Sequence, residues 1–281
     1  SHVVMHNFYP DISETAPPGH DWWMRLEYSS AAFQEGVADL MAAIIPDNAL
    51  KMSWGTDNIE RNDWHTDAPD AGEYVEGAVA SILWDIYDDE NTPDTYIGDD
   101  DGLSKGFEPI WEIITKDTPD DIIEFWNYWN VKSISDPIMY GDIEALADIY
   151  EAHGINIRSR PESMHVQAFS PVRLHIYAGE LHVGWNDSSG EADQQIPGST
   201  YDDATNSIVL PYYADNYHME IEGTGTGHYE IVTYTINYNG TTLDEVWIDG
   251  YIRPYDLSLI HISEPTRPLY ISYAVFCLTK K

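Results

Sequence analysis

His2 and His6 stand four residues apart. On a helix that spacing puts both imidazoles on one side, an arrangement that can bind zinc. The hydrolytic form of such a pair, His-Glu-x-x-His, also needs a glutamate directly after its first histidine to act as general base. Val3 stands there, so His2 and His6 are not that motif. His2 fits better as the second histidine of a motif whose first histidine and glutamate lie upstream of Ser1, with His6 as a packing residue. Glu35 and Asp39, in Phe33-Gln-Glu-Gly-Val-Ala-Asp39, are again one helical turn apart. Taken alone they also read as a polar stripe on an amphipathic helix. A third concentration of oxygen ligands is the acidic loop holding Asp88, Asp89, Asp99 and Asp101. Crowded carboxylates repel, so calcium or full solvation must relieve them. The EF-hand pattern fails there, since Ile97 stands where its first aspartate should be. His20 and His65 fall in loops and read as solvent-exposed.

These residues need elements to hold them. His2–Tyr9 reads as a helix stopped by Pro10. Ser29 or Ser30 can cap a helix carrying Phe33, Val37, Leu40, Met41 and Ile44, with Pro46 after its end. Residues 51–72 are polar and read as a surface excursion. Val75, Val79, Ile82, Leu83 and Ile86 recur at helical spacing, which predicts a buried helix over Tyr74–Tyr87. Further helices are predicted near Phe107–Thr115, Pro119–Trp129 and Asp142–His153, the last closed by Gly154. From about Glu162 the period changes to alternation. Six or seven short strands, among them Val172–Tyr177, Ser207–Tyr213, Tyr217–Ile221, His228–Tyr238 and Glu245–Ile252, predict an antiparallel β-sandwich. The expected fold class is therefore a multidomain α+β chain: an α-helical lobe over 1–157, then an all-β antiparallel sandwich over 164–256.

Three strings together carry a family likeness: His2-Val-Val-Met-His-Asn-Phe-Tyr9, Phe33–Asp39 and Val75-Glu-Gly-Ala-Val-Ala-Ser-Ile-Leu-Trp-Asp-Ile-Tyr87. Over about residues 1–155 the chain resembles the gluzincin zinc metallopeptidases, of the thermolysin and fungalysin type. The resemblance implies that His2 and Glu35 are zinc ligands and that Asp39 orients the first zinc histidine. It implies a zinc-polarised carbonyl and water, a peptide or protein substrate, and a secreted, extracellular or cell-surface location. Tyr74 and His65 are the candidates for stabilising the oxyanion. The first zinc histidine and the catalytic glutamate are not in the given chain, so the chain as given is expected to be an inactive fragment. More loosely, Ser170–Tyr177 and Glu222–Tyr229 resemble accessory sandwiches found after secreted prokaryotic peptidases. The alternative is a non-catalytic extracellular binding or surface protein on a degenerate peptidase scaffold.

Composition narrows the classes further. With 13 basic and 49 acidic residues in 281, the net charge is −36. A face that neutralises phosphates is thereby improbable, and nucleic acid is not an expected partner. No run reaches the roughly 18–20 apolar residues of a membrane span. One cysteine, Cys277, excludes an internal disulfide and a thiolate zinc cluster. Asn186-Asp-Ser and Asn239-Gly-Thr match the glycosylation pattern. Residues 257–281 carry one acid, Glu264, against 48 in the preceding 256. This segment looks like translated sequencing-adapter read-through and is expected to make no essential core contact.

Overall fold

A computed structural model describes residues 19–45, 59, 71–88, 102–211 and 216–263. The chain divides into two compact units, Ser1–Ile157 and Arg158–Lys281.

The first unit is helical. Its described α-helices are α1 (Ser29–Ile44), α2 (Glu76–Tyr87), α3 (Phe107–Glu112), α4 (Ile122–Ser135), α5 (Pro137–Tyr140) and α6 (Ile143–Ala152). α2 is buried at every residue from Glu76 to Ile86, as expected of a helix that is apolar nearly all round. It begins two residues later than the periodicity predicts, because Gly72–Tyr74 forms a 3-10 turn first. The cap of α1 also departs from expectation. Tyr28 is the N-cap residue, and no side chain caps the helix. The Ser29 hydroxyl instead donates to Asp121 Oδ2 at 2.8 Å. Asp121 Oδ1 accepts from the N–H groups of Ile123 and Glu124 and so caps α4. One aspartate thus joins the starts of α1 and α4. Phe33 and Phe125 meet across these helices at 6.4 Å between ring centroids. Trp129 packs edge-on to Tyr140 at 5.1 Å, and the buried Tyr150 hydroxyl donates to Ile122 O at 2.9 Å. Ile59 lies in the stretch read as a surface excursion, yet it is buried. Among the described residues no helix is long and apolar enough to cross a membrane.

The second unit consists of two antiparallel five-stranded sheets. Its strands are β1 (Pro161–Phe169), β2 (Val172–Ala178), β3 (Leu181–Asn186), β4 (Glu191–Gln194), β5 (Thr200–Asp202), β6 (Ser207–Pro211), β7 (Asn216–Gly223), β8 (Gly227–Asn237), β9 (Thr242–Ile252) and β10 (Leu257–Ser263). The orders are β5-β6-β1-β8-β9 and β10-β7-β2-β3-β4. Alternation puts Met164, Val166, Leu210 and Ile231 of one sheet, with Leu174, Ile176, Met219 and Ile221 of the other, into one core. The outer faces carry the polar alternates. The strands outnumber the six or seven expected, because the short β4 and β5 leave too few alternations to read.

β1 begins at Pro161, before the expected boundary at 164. The tail also departs from expectation. Leu257–Ser263 pairs with β7 over seven positions, from Leu257 opposite Glu222 to Ser263 opposite Asn216, and Ser258 is buried. β10 covers an edge that β7 would otherwise present unpaired. A chain ending at Asp256 is therefore expected to melt lower. The drop should be at least about 4 °C, the shift that ~1 kcal/mol produces in a domain of around 100 residues. An unchanged melting temperature would return these residues to the role of a passive tail. Residues 264–281 lie outside the described residues.

Candidate metal centre

Two helices and one loop bring His20, Glu35 and Glu76 together. Their ligand atoms all lie within 4.8 Å of one another. Glu35 comes from the second turn of α1 and Glu76 is the first residue of α2. Gly36 makes their approach possible. A Cβ built there would lie 2.7 Å from Val79 Cγ1 and 3.0 Å from Glu76 O, so α1 rests directly on the first turn of α2.

His20 is delivered by the strap that follows Gly19, whose φ of 78° is a left-handed conformation suited to glycine. That strap is pinned to the start of α2 by three backbone contacts. Arg25 bridges Val75, Leu26 N–H donates to Tyr74 O at 2.8 Å, and Gly77 N–H donates to Trp22 O at 3.0 Å. The last bond satisfies one of the N–H groups that a helix start leaves unpaired. The positive end of the helix dipole also favours a carboxylate at the position of Glu76. His20 Nε2 and Glu76 Oε2 then stand 2.6 Å apart, with side-chain exposures of 16% and 5%.

One imidazole nitrogen and two carboxylates suit a divalent cation. The two negative charges balance it, and three protein ligands leave a coordination position for water, the pattern of catalytic zinc sites. Bonds of 2.0–2.2 Å place the donors of a tetrahedral zinc about 3.3–3.6 Å apart. His20 and Glu76 are also within hydrogen-bond distance of each other.

The expected site is met only in part. Glu35 is in the cluster. His2 and His65 lie outside the described residues, so the pairing of His2 with Glu35 does as well. Asp39 sits one turn beyond Glu35 on α1, half-buried, and is not one of the three converging groups. Tyr74 is in the 3-10 turn two residues before Glu76, its ring 4.7 Å beneath the Arg25 guanidinium. His20 corrects an expectation, since it is largely buried against Glu76 rather than solvent-exposed. Glu76 was missed as a ligand, although a signal existed: it is the sole ionisable residue from Val75 to Trp84, and an acid inside an apolar helix must find a partner. Of the calcium candidates, Asp88 is buried at the end of α2, its N–H donating to Trp84 O at 3.0 Å. Asp89, Asp99 and Asp101 lie outside the described residues. The Asn186 amide of the first glycosylation pattern donates to Asp193 Oδ2 at 2.9 Å, so a glycan there would first have to break that bond.

No known protein family, no curated protein and no solved structure matches this chain.

Proposed function

We propose that the first unit is the helical lobe of a secreted zinc-dependent peptidase acting on peptides or proteins, with Glu35 as a metal ligand. The observation that carries this reading is the convergence of Glu35 with His20 and Glu76. The resemblance singled out Glu35 as a zinc ligand, and in the fold it meets two further groups of ligating type. Bound there, zinc would polarise a carbonyl and a water. Glu35 and Glu76 would neutralise the cation, His20 would supply the nitrogen, and the strap from Trp22 to Leu26 holds His20 against the start of α2.

Zinc titrated calorimetrically into the chelator-stripped full chain tests the reading. Glu35→Gln is expected to remove one binding step, and His20→Gln to weaken the same step at least about tenfold. If both variants bind zinc like the parent chain, the peptidase reading loses its site. The binding-protein alternative then takes over, and an exposed surface favours it. Phe169 and Trp247 stack at 6.1 Å with their rings 9° apart on the outer face of β1 and β9. Trp247 also borders a depression of about 370 Å³ lined by His228, Glu230 and Asp249.

A further inference from the structure

The outer face of the second sheet holds a separate histidine constellation. On β2 and β3, Tyr177 lies opposite His182, and His175 opposite Gly184. Gly184 has a φ of 146°, and a Cβ there would come within 3.1 Å of His182 Nε2 and of His175 Cα. Its missing side chain opens the lane through which the His182 ring leans over His175. The two rings lie 16° from parallel with centroids 5.4 Å apart, and His175 Nδ1 is 3.2 Å from His182 Nε2. The opposite nitrogens face acids. His182 Nδ1 is 3.1 Å from Asp193 Oδ2 on β4, and His175 Nε2 is 3.5 Å from Glu222 Oε2 on β7. Asp193 is steadied by the Asn186 amide, and the Tyr177 ring stacks on His182 at 4.7 Å. Both imidazoles are 13% exposed.

An ionised carboxylate only accepts hydrogen bonds, and a neutral imidazole carries a single N–H. In the tautomer pair that donates to both acids, the nitrogens facing Asp193 and Glu222 hold those hydrogens. The other two nitrogens are then bare lone pairs aimed at each other across 3.2 Å. A hydrogen bond between the rings relieves that opposition in the other tautomer, and a metal ion bound by both nitrogens relieves it in this one.

We propose that His175 and His182 form a two-histidine site for a divalent transition-metal ion such as zinc, copper or nickel, with Asp193 and Glu222 orienting the rings. Metal–nitrogen bonds of 2.0–2.1 Å set two tetrahedral ligands about 3.3 Å apart, close to the separation already present. A carboxylate behind each ligating imidazole is the arrangement that fixes ring tautomer and raises ligand basicity. Water completes the coordination, or a donor from a bound partner does.

The test uses zinc alone on the full chain, followed by calorimetry and by the nitrogen resonances of the histidine rings. Zinc is expected to shift His175 Nδ1 and His182 Nε2. His182→Gln should abolish that binding step, and Asp193→Asn should weaken it about tenfold or more. Circular dichroism reports whether the sheet survives each change. If His182→Gln disrupts it, Asp193→Asn, which alters a half-buried hydrogen-bond partner and keeps its shape, carries the test. The step should persist unchanged in Glu35→Gln, which separates this site from the centre on α1 and α2. Wild-type affinity in both His182→Gln and Asp193→Asn, or zinc shifts confined to other nitrogens, would overturn the assignment.

Discussion

Gly36→Ala is expected to loosen the helical unit and disperse the His20–Glu35–Glu76 cluster together. The added methyl would meet Val79 Cγ1 at 2.7 Å, Val79 Cβ at 2.9 Å and Glu76 O at 3.0 Å. The valine is itself fully buried on a helix buried along nearly its whole length, so it has little room to turn away. Helix α1 must then lift from α2. Overpacking of this kind costs about 1–3 kcal/mol. Glu35 is adjacent to Gly36 and Glu76 supplies the touching carbonyl, so the same displacement parts two of the three ligating groups. Zinc affinity at this centre should fall at least about tenfold, or ~1.4 kcal/mol. Denaturant unfolding and calorimetric titration of one variant read both effects. A variant with parental stability and affinity would show that the crossing does not depend on the glycine.

Asp85→Ala is expected to destabilise the helical unit at a point away from the metal centre. Asp85 Oδ2 lies 2.7 Å from His153 Nε2, with side-chain exposures of 8% and 0%. This contact ties α2 to the end of α6. The neighbouring backbone is equally close: Gly72 N–H donates to Gly154 O at 3.2 Å, and a Cβ on Gly72 would fall 2.1 Å from His153 O. With the carboxylate gone, the imidazole keeps its burial and loses this partner. Taking the partner from a buried hydrogen-bonded group costs about 1–3 kcal/mol. Asp85→Asn retains the shape and a polar atom, and should lie between the alanine variant and the parent chain. Thermal unfolding checks the order. A loss below about 1 kcal/mol for Asp85→Ala would mean that the pair is not a structural tie.

The helical-to-strand division was legible in the sequence because burial imposes a period. Val75, Val79, Ile82, Leu83 and Ile86 recur as a buried helix requires, and the alternation through Val172–Tyr177 and His228–Tyr238 marks strands with one covered face. Ends were read less well. Tyr28 rather than a serine caps α1, since Ser29 spends its hydroxyl on Asp121, 92 residues away. No local pattern encodes such a bond. Likewise, β10 was set aside on composition, whereas pairing to β7 depends on backbone groups that every sequence carries.

The sites divide in the same way. Glu35 emerged as a metal-ligand candidate only through the family resemblance, since alone it also read as part of a polar stripe, and the charge of −36 pointed away from nucleic acid. Its partners were decided only by the tertiary structure. His20 reaches Glu76 because the strap of Trp22, Arg25 and Leu26 is stitched to the first turn of α2, and Glu35 reaches it because Gly36 lets two helices touch. His175 and His182 face each other through strand register and a glycine gap. Ligand geometry is a matter of ångströms between residues distant in the chain. Sequence spacing determines such distances only within one helix or strand, and both sites are assembled across several.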